Sequence, residues 1–179
     1  MLIGSIIIIF SILIDQVTKQ LAQAYIPQIL SEQESNIVLI PKLIELSYHQ
    51  NTGASFNIFD GAQIFFMIIT IVALAIFGYL FLDVNFKTKK VYSIAIALFI
   101  GGTLGNAIDR ALFGYVIDFL HFPFLTPVLD LVNISNFYNN FADIFLSAAI
   151  VLFAIDLFIF DPKRKKKEKQ NVSFNQDQS

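Results

Sequence analysis

Residues 61–82 read GAQIFFMIITIVALAIFGYLFL, a run without one charged side chain. A bilayer-crossing helix needs about 20 mostly apolar residues in succession, since only a helix satisfies its own backbone in hydrocarbon. Three further runs of this kind flank it, at 2–24, 91–108 and 141–160. The first is interrupted by Asp15, Gln16 and Lys19, and the last carries Asp143 and Asp156. The sequence therefore predicts an all-α membrane protein with four transmembrane helices.

Composition agrees. The chain has 179 residues, 56% of them hydrophobic, with 20 Phe. Its mean hydropathy is +0.67. A soluble domain of this size has too much surface to hide that apolar excess. The length fits a single domain, predicted over 1–162, followed by a basic tail at 163–179 without fixed structure. There is no Cys, which excludes disulfides, thiolate zinc sites and a Cys nucleophile. A cleaved signal peptide competes for the first run, where Ala22-Gln23-Ala24 resembles a cleavage site. The run has no basic n-region, and polar residues interrupt it, so a span is the better reading.

Nine of the twelve Lys and Arg stand in two short segments: Lys87, Lys89 and Lys90, then Lys163, Arg164, Lys165, Lys166, Lys167 and Lys169. A basic tail beside an apolar span reads as a topology signal rather than a nucleic-acid patch. Positive residues stay in the cytoplasm, so 83–90 and the tail are expected inside, with both termini. Segments 25–60 and 110–139 are then outside. In the first, the runs 36–40 and 43–48, divided by Pro41, predict strands of a small extracytoplasmic sheet. In the second, Pro123 and Pro127 break any long helix, and Phe119, Phe122, Phe124 and Leu125 point to an interfacial loop.

Ionisable residues at membrane depth are costly, by roughly 2.5–3.5 kcal/mol each on insertion scales, and raise the question of function. Asp15 and Lys19 are four apart and share a helix face, as a structural ion pair or a substrate contact. Asp156 reads as an interfacial carboxylate pairing with a nearby Lys. Gly101 and Gly105 form a small-xxx-small face for a close helix crossing. Asn106 and Arg110 stack at the end of the third run, suited to a peptide carbonyl or a carboxylate. Asp118 and Asp143 both fall at the outer end of the bundle. Brought together, two carboxylates do not both ionise readily: one keeps a proton while the other activates water. Asn140 is a good N-cap for the fourth helix, and Asp143 then takes the third helical position in a capping-box arrangement. His49 and His121 leave a Ser–His site possible, but no nucleophile-elbow, HExxH, Walker or dinucleotide motif is present.

Five blocks together resemble the lipoprotein signal peptidase (signal peptidase II) family: 15–19 (DQVTK), 51–56 (NTGASF), 101–110 (GGTLGNAIDR), 116–119 (VIDF) and 140–143 (NFAD). The resemblance covers residues 5–160. It implies four transmembrane helices with cytoplasmic termini, an extracytoplasmic β-sheet and an extracytoplasmic loop helix. It implies an aspartic endopeptidase of the bacterial inner membrane that removes the signal peptide of diacylglyceryl-modified prolipoproteins just before the lipidated cysteine. It also implies inhibition by globomycin. Asp118 and Asp143 match the family's catalytic dyad. Asp15, Lys19, Asn51, Gly53, Asn106, Arg110, Asn140 and Ala142 match positions that bind substrate or shape its site. Three departures stand out: Asn139 occupies a position usually aromatic, Ser55 replaces a usual Ala, and the 119–142 segment is long. No cofactor or metal is expected. The expected partners are lipidated prolipoproteins and membrane lipids, with no nucleic acid, and the protein is expected to be a monomer. Rival readings are a Gly-x-Gly-Asp intramembrane protease, whose motif is absent, an ion carrier using Asp15, Asp118 and Asp143, and a non-catalytic scaffold.

Overall fold

The computed structural model describes residues 1–29, 36–53, 63–132 and 137–176. Helix α1 (Leu2–Ile29) leads to strands β1 (Ile37–Ile40) and β2 (Ile44–Asn51), then to helices α2 (Gln63–Phe81) and α3 (Lys90–Phe113). Strand β3 (Val116–His121), the short helix α4 (Thr126–Leu129) and strand β4 (Tyr138–Asn139) follow. Helix α5 (Phe141–Ile155) continues through a π-helical turn, Asp156–Phe160, into α6 (Asp161–Gln176). Among the described residues four helices are long and apolar enough to cross a membrane: Leu2–Ile26, Ile64–Phe81, Lys90–Phe113 and Phe141–Asn171.

Helix α3 is the centre of the bundle and packs against α1, α2 and α5. Its glycines permit this. A Cβ at Gly101 would stand 2.7 Å from Ser11 Cβ of α1, and one at Gly105 would stand 2.6 Å from Asp15 Oδ2. The small-residue face is thus where α1 crosses, and the backbones approach because nothing projects between them. Helix α2 leans on α3 through Phe77 stacked on Phe99, ring centroids 4.3 Å apart. Many of its apolar side chains, among them Ile64, Ile68 and Ile71, are exposed, as suits a lipid-facing helix.

Helix α3 runs past the expected end of the third span, so Asp109 and Arg110 are helical. It stops at Gly114, whose φ of 80° is a left-handed C-cap. The chain turns there directly into β3.

The four strands form one antiparallel sheet in the order β1-β2-β3-β4. The two predicted strands are present, and β2 reaches Asn51, beyond its expected end. Strand β3 had no signal in the sequence: Val116, Ile117, Asp118, Phe119 and Leu120 are all buried, so the alternation that marks a half-exposed strand is missing. Ala22 and Ile26 of α1 pack on Phe119 and Leu120, fixing the sheet to the end of α1. Among the described residues, β3 is followed by the short helical turns Pro123–Leu125, α4 and Asp130–Val132.

The opposite end gathers the N-terminus and the basic segments. Met1, Leu2 and Ile3 share a cavity wall with Asn85, Phe86 and Lys87, and Asp83 and Lys89 line another with Asp156 and Arg164. Asp156 is buried and pairs with Arg164, through contacts of 2.8 and 2.7 Å, rather than with a lysine. The intervening π-helical turn brings residues eight apart onto one face, and the planar guanidinium matches both carboxylate oxygens. The segment read as a tail without fixed structure is helical over Asp161–Gln176, with Lys165 also paired to Asp161 at 2.7 Å.

Candidate active site

Asp118 lies on β3, 2% exposed, and Asp143 lies half-buried in the first turn of α5. The expected cap forms: Asn140 Oδ1 accepts the N–H of Asp143 (3.0 Å) while Asp143 Oδ2 accepts the N–H of Asn140 (3.2 Å). The same Asn140 donates Nδ2–H to Asp118 Oδ1 at 2.7 Å. One asparagine thus ties the two acids together. Asp118 Oδ2 accepts from Asn51 Nδ2 (2.8 Å), and Asp143 Oδ1 accepts from Asn106 Nδ2 (2.8 Å). Asn106 Oδ1 in turn accepts from Asn140 Nδ2 (3.1 Å) and Lys19 Nζ (2.9 Å). Two amides, Asn140 and Asn106, therefore connect the carboxylates, and Asn51 and Lys19 join the same network at Asp118 and Asn106.

Burial first, and then the charge of Asp143, push the carboxyl of Asp118 up to about 7. The hydrogen bonds from Asn51 and Asn140 and the charge of Lys19 act in the other direction.

Beneath the acids lies an ionic cluster. Lys19 Nζ contacts Asp15 Oδ2 at 2.8 Å and Asp109 Oδ2 at 3.0 Å, and all three side chains are fully buried. Asp15 Oδ1 accepts the N–H of Ala142 (2.8 Å), and Asp109 Oδ2 accepts the N–H of Ile117 (3.0 Å). Gln16 Nε2 closes the cluster on Asp109 Oδ1 (2.9 Å) and the Gly105 carbonyl (3.0 Å). Asp109 and Gln16 were not singled out in the sequence. The signal available was their place inside polar islands at membrane depth.

The site residues read from sequence gather at the sheet end of the bundle. Asp15, Lys19, Asn140 and Ala142 are enclosed and contact the network from within. Gly53 donates its N–H to Asn51 Oδ1 (3.0 Å), and Arg110 Nη2 reaches the Gly53 carbonyl (3.4 Å). The Arg110 guanidinium also lies over the Phe66 ring, 5.2 Å from its centroid. Ala54, Ser55 and Phe56 lie outside the described residues. His49 stands opposite Asp118 in the pairing of β2 with β3 and stacks on Tyr138 (5.2 Å), while His121 pairs with Glu45 (3.0 Å). Among the described residues no cluster of His, Asp and Glu has the grouping of a metal site.

Beside Asp143 opens a cavity of about 620 Å³, walled by Phe122, Leu125, Asn139, Ile144, Val151 and Leu152. An apolar groove reaching a carboxylate suits a hydrophobic peptide presented for cleavage.

Fold and site together define a multi-pass membrane protein with two linked carboxylates at the sheet end of its helix bundle. Residues 7–159 match the family described as Signal peptidase (SPase) II. The chain is 35% identical over 162 residues to the lipoprotein signal peptidase of Clostridium tetani, covering 90% of this chain and 96% of that one. It is 33% identical over 160 residues to that of Lactiplantibacillus plantarum, covering 89% and 97%. A solved bacterial membrane enzyme, at 2.3 Å resolution, superposes with a TM-score of 0.69 at 30% identity over 90% of each chain. The chain belongs to the signal peptidase II family: it is a membrane peptidase that cleaves lipoprotein signal peptides.

Proposed function

We propose that Asp118 and Asp143 are the catalytic dyad of an aspartic endopeptidase. The observation that carries this reading is the Asn140 bridge, which holds the two acids in one hydrogen-bonded unit. Asp143 sits at the positive end of α5, with donors from Asn106 and the Asn140 backbone, and is the predominantly ionised partner. It takes a proton from the attacking water. Asp118, enclosed by apolar neighbours, predominantly holds the shared proton and hydrogen-bonds the scissile carbonyl. As water adds, that proton passes to the carbonyl oxygen. The proton taken up by Asp143 then goes to the leaving amine, and the hydroxyl proton returns to Asp118 as the carbonyl reforms. The two groups titrate as a pair, so the assignment describes the favoured distribution in the free enzyme.

The substrate is a diacylglyceryl-modified prolipoprotein, cut just before its lipidated cysteine. The apolar cavity beside Asp143 supports a signal peptide and acyl chain reaching the acids laterally. Asn51, Gly53, Asn106 and Arg110 flank the dyad as substrate-facing positions, with Asp15, Lys19, Asn140 and Ala142 holding the site's shape. The gathering of basic residues at the end away from the sheet supports cytoplasmic termini, with the sheet, loop helix and dyad at the outer face of the bacterial inner membrane. The protein acts as a monomer among lipids, without a metal.

The test is incubation of the purified protein with a lipidated prolipoprotein and a mobility-shift readout. The wild type cleaves it, is blocked by globomycin, and leaves the unlipidated precursor intact. Asp118→Asn and Asp143→Asn each abolish cleavage while the protein still inserts and folds. Full activity in either variant removes that acid from the mechanism.

A further inference from the structure

Asn139, the last residue of β4, is 7% exposed and lines the cavity beside Asp143. Its Nδ2 group is buried and has no hydrogen-bond partner. Such a group is uncommon in native proteins, because it forgoes water and receives nothing in return. Its neighbour Asn140 is fully bonded, to Asp118, Asn106 and the cap of α5. The orphan is therefore not part of the network that holds the dyad. It stands one residue before the N-cap of the helix that carries Asp143, in a mainly apolar wall whose other polar members are Asp143 and Ser147. The last torsion of Asn is broad, so a turn of the amide presents Nδ2–H to the cavity.

We propose that Asn139 is a substrate-binding residue, donating Nδ2–H to a carbonyl oxygen of the lipidated peptide held beside the dyad. The inference rests on the reading of Asp118 and Asp143 as the catalytic acids and adds a contact for their substrate. Two substrate groups offer such an oxygen near the cleavage point, a backbone carbonyl and an ester of the diacylglyceryl group. Nδ2 has no partner within the protein, and substrate supplies one. A polar wall residue kept unbonded in this way stabilises the complex at the expense of the empty site.

The experiment compares wild type, Asn139→Leu and Asn139→Ala, measuring kcat, KM and the melting temperature in detergent. Leucine keeps the approximate shape and removes the donor. The expected result is a KM raised about 10-fold with kcat within about twofold, since a ground-state contact is lost. The substrate-free melting temperature of Asn139→Leu should hold or rise by about 2–4 °C, because a buried unpaired donor has gone. A residue serving only the fold would show the reverse, a lowered melting temperature with KM unchanged, and that result overturns the proposal. If Asn139→Leu does not fold, Asn139→Ala decides, and an unchanged KM there overturns it equally. A dialkyl-ether analogue of the substrate separates the two carbonyls. The effect of Asn139→Leu persists on the ether if a peptide carbonyl is bound and disappears if an ester is. Asp143→Asn runs in parallel: activity surviving in that variant refutes the dyad, whereas an inactive Asp143→Asn with unchanged KM in both Asn139 variants refutes the role of Asn139 alone.

Discussion

Asp109 Oδ2 accepts the backbone N–H of Ile117 at 3.0 Å, and so grips the peptide immediately before Asp118. Asp15 does the same for Ala142, immediately before Asp143. Lys19 bonds both carboxylates and Asn106. The buried ionic cluster thus holds each strand or helix end that presents an acid, and the spacing of the dyad depends on it. Removing one member leaves the other charges buried without full compensation, at a cost of about 3–5 kcal/mol. Asp109→Ala is expected to lower the melting temperature and to reduce kcat about 10²-fold, the effect of a misplacement near 1 Å. Melting curves and kcat on the folded fraction check both. Wild-type kcat in Asp109→Ala would separate the cluster from the catalytic geometry.

In the proposed mechanism the carboxyl of Asp118, pushed up to about 7, sets the alkaline side of the pH profile. Its raised value means that the group keeps its proton below about pH 7 and loses it above. The proposed dyad needs that proton, so kcat/KM is expected to fall as pH rises through about 7. The groups facing Asp118 are Asp143, Lys19, Asn51 and Asn140, with His49 opposite it across β2 and β3 and Arg110 acting through its charge. Asn51 donates to the carboxylate and favours ionisation, so Asn51→Ala is expected to move this limb to higher pH. A limb that moves down, or stays fixed, would assign it to another group. Site-resolved infrared titration gives the companion reading: if Asp143 loses its proton at the higher pH, the two roles are exchanged.

At Gly105 a methyl group would meet Asp15 Oδ2 at 2.6 Å and Ala142 Cβ at 3.2 Å. Neither neighbour can retreat freely, since Asp15 is held by Lys19 and Ala142 stands in the first turn of α5. Gly105→Ala is expected to cost about 1–3 kcal/mol by overpacking and to lower activity with it. At Gly78, where a Cβ meets nothing within 4 Å, the same change is expected to be silent. Equal melting temperatures for the two variants would contradict the close crossing of α1 and α3.

Orientation is open to reporter fusions. A fusion after Lys90 or after Lys169 is expected to report cytoplasm, and an insertion near Ser35, outside the described residues, the exterior. A cytoplasmic signal near Ser35 would reverse the topology and place the sheet and dyad on the inner side.

The sequence by itself determined the four helices, because long apolar runs are local and the bilayer leaves the backbone few alternatives. It also determined the cap that places Asp143: Asn140 and Asp143 are three residues apart, and a capping box is complete within one turn. The close face at Gly101 and Gly105 was legible as spacing, though not the helix that would use it. What only the tertiary structure decided is everything that depends on separation along the chain. Asp118 meets Asn51 through pairing of β2 with β3, and β3 carries no alternation because every residue from Val116 to Leu120 is buried. Asp109 joined Asp15 and Lys19 because α3 stayed helical past residue 108 and crosses α1 there. Asp156 found Arg164 rather than a lysine because a π-helical turn reset the face on which they stand. Local pattern fixes which residues are helical. Which charges share a buried site is fixed by how the helices cross, and no spacing in the sequence records that.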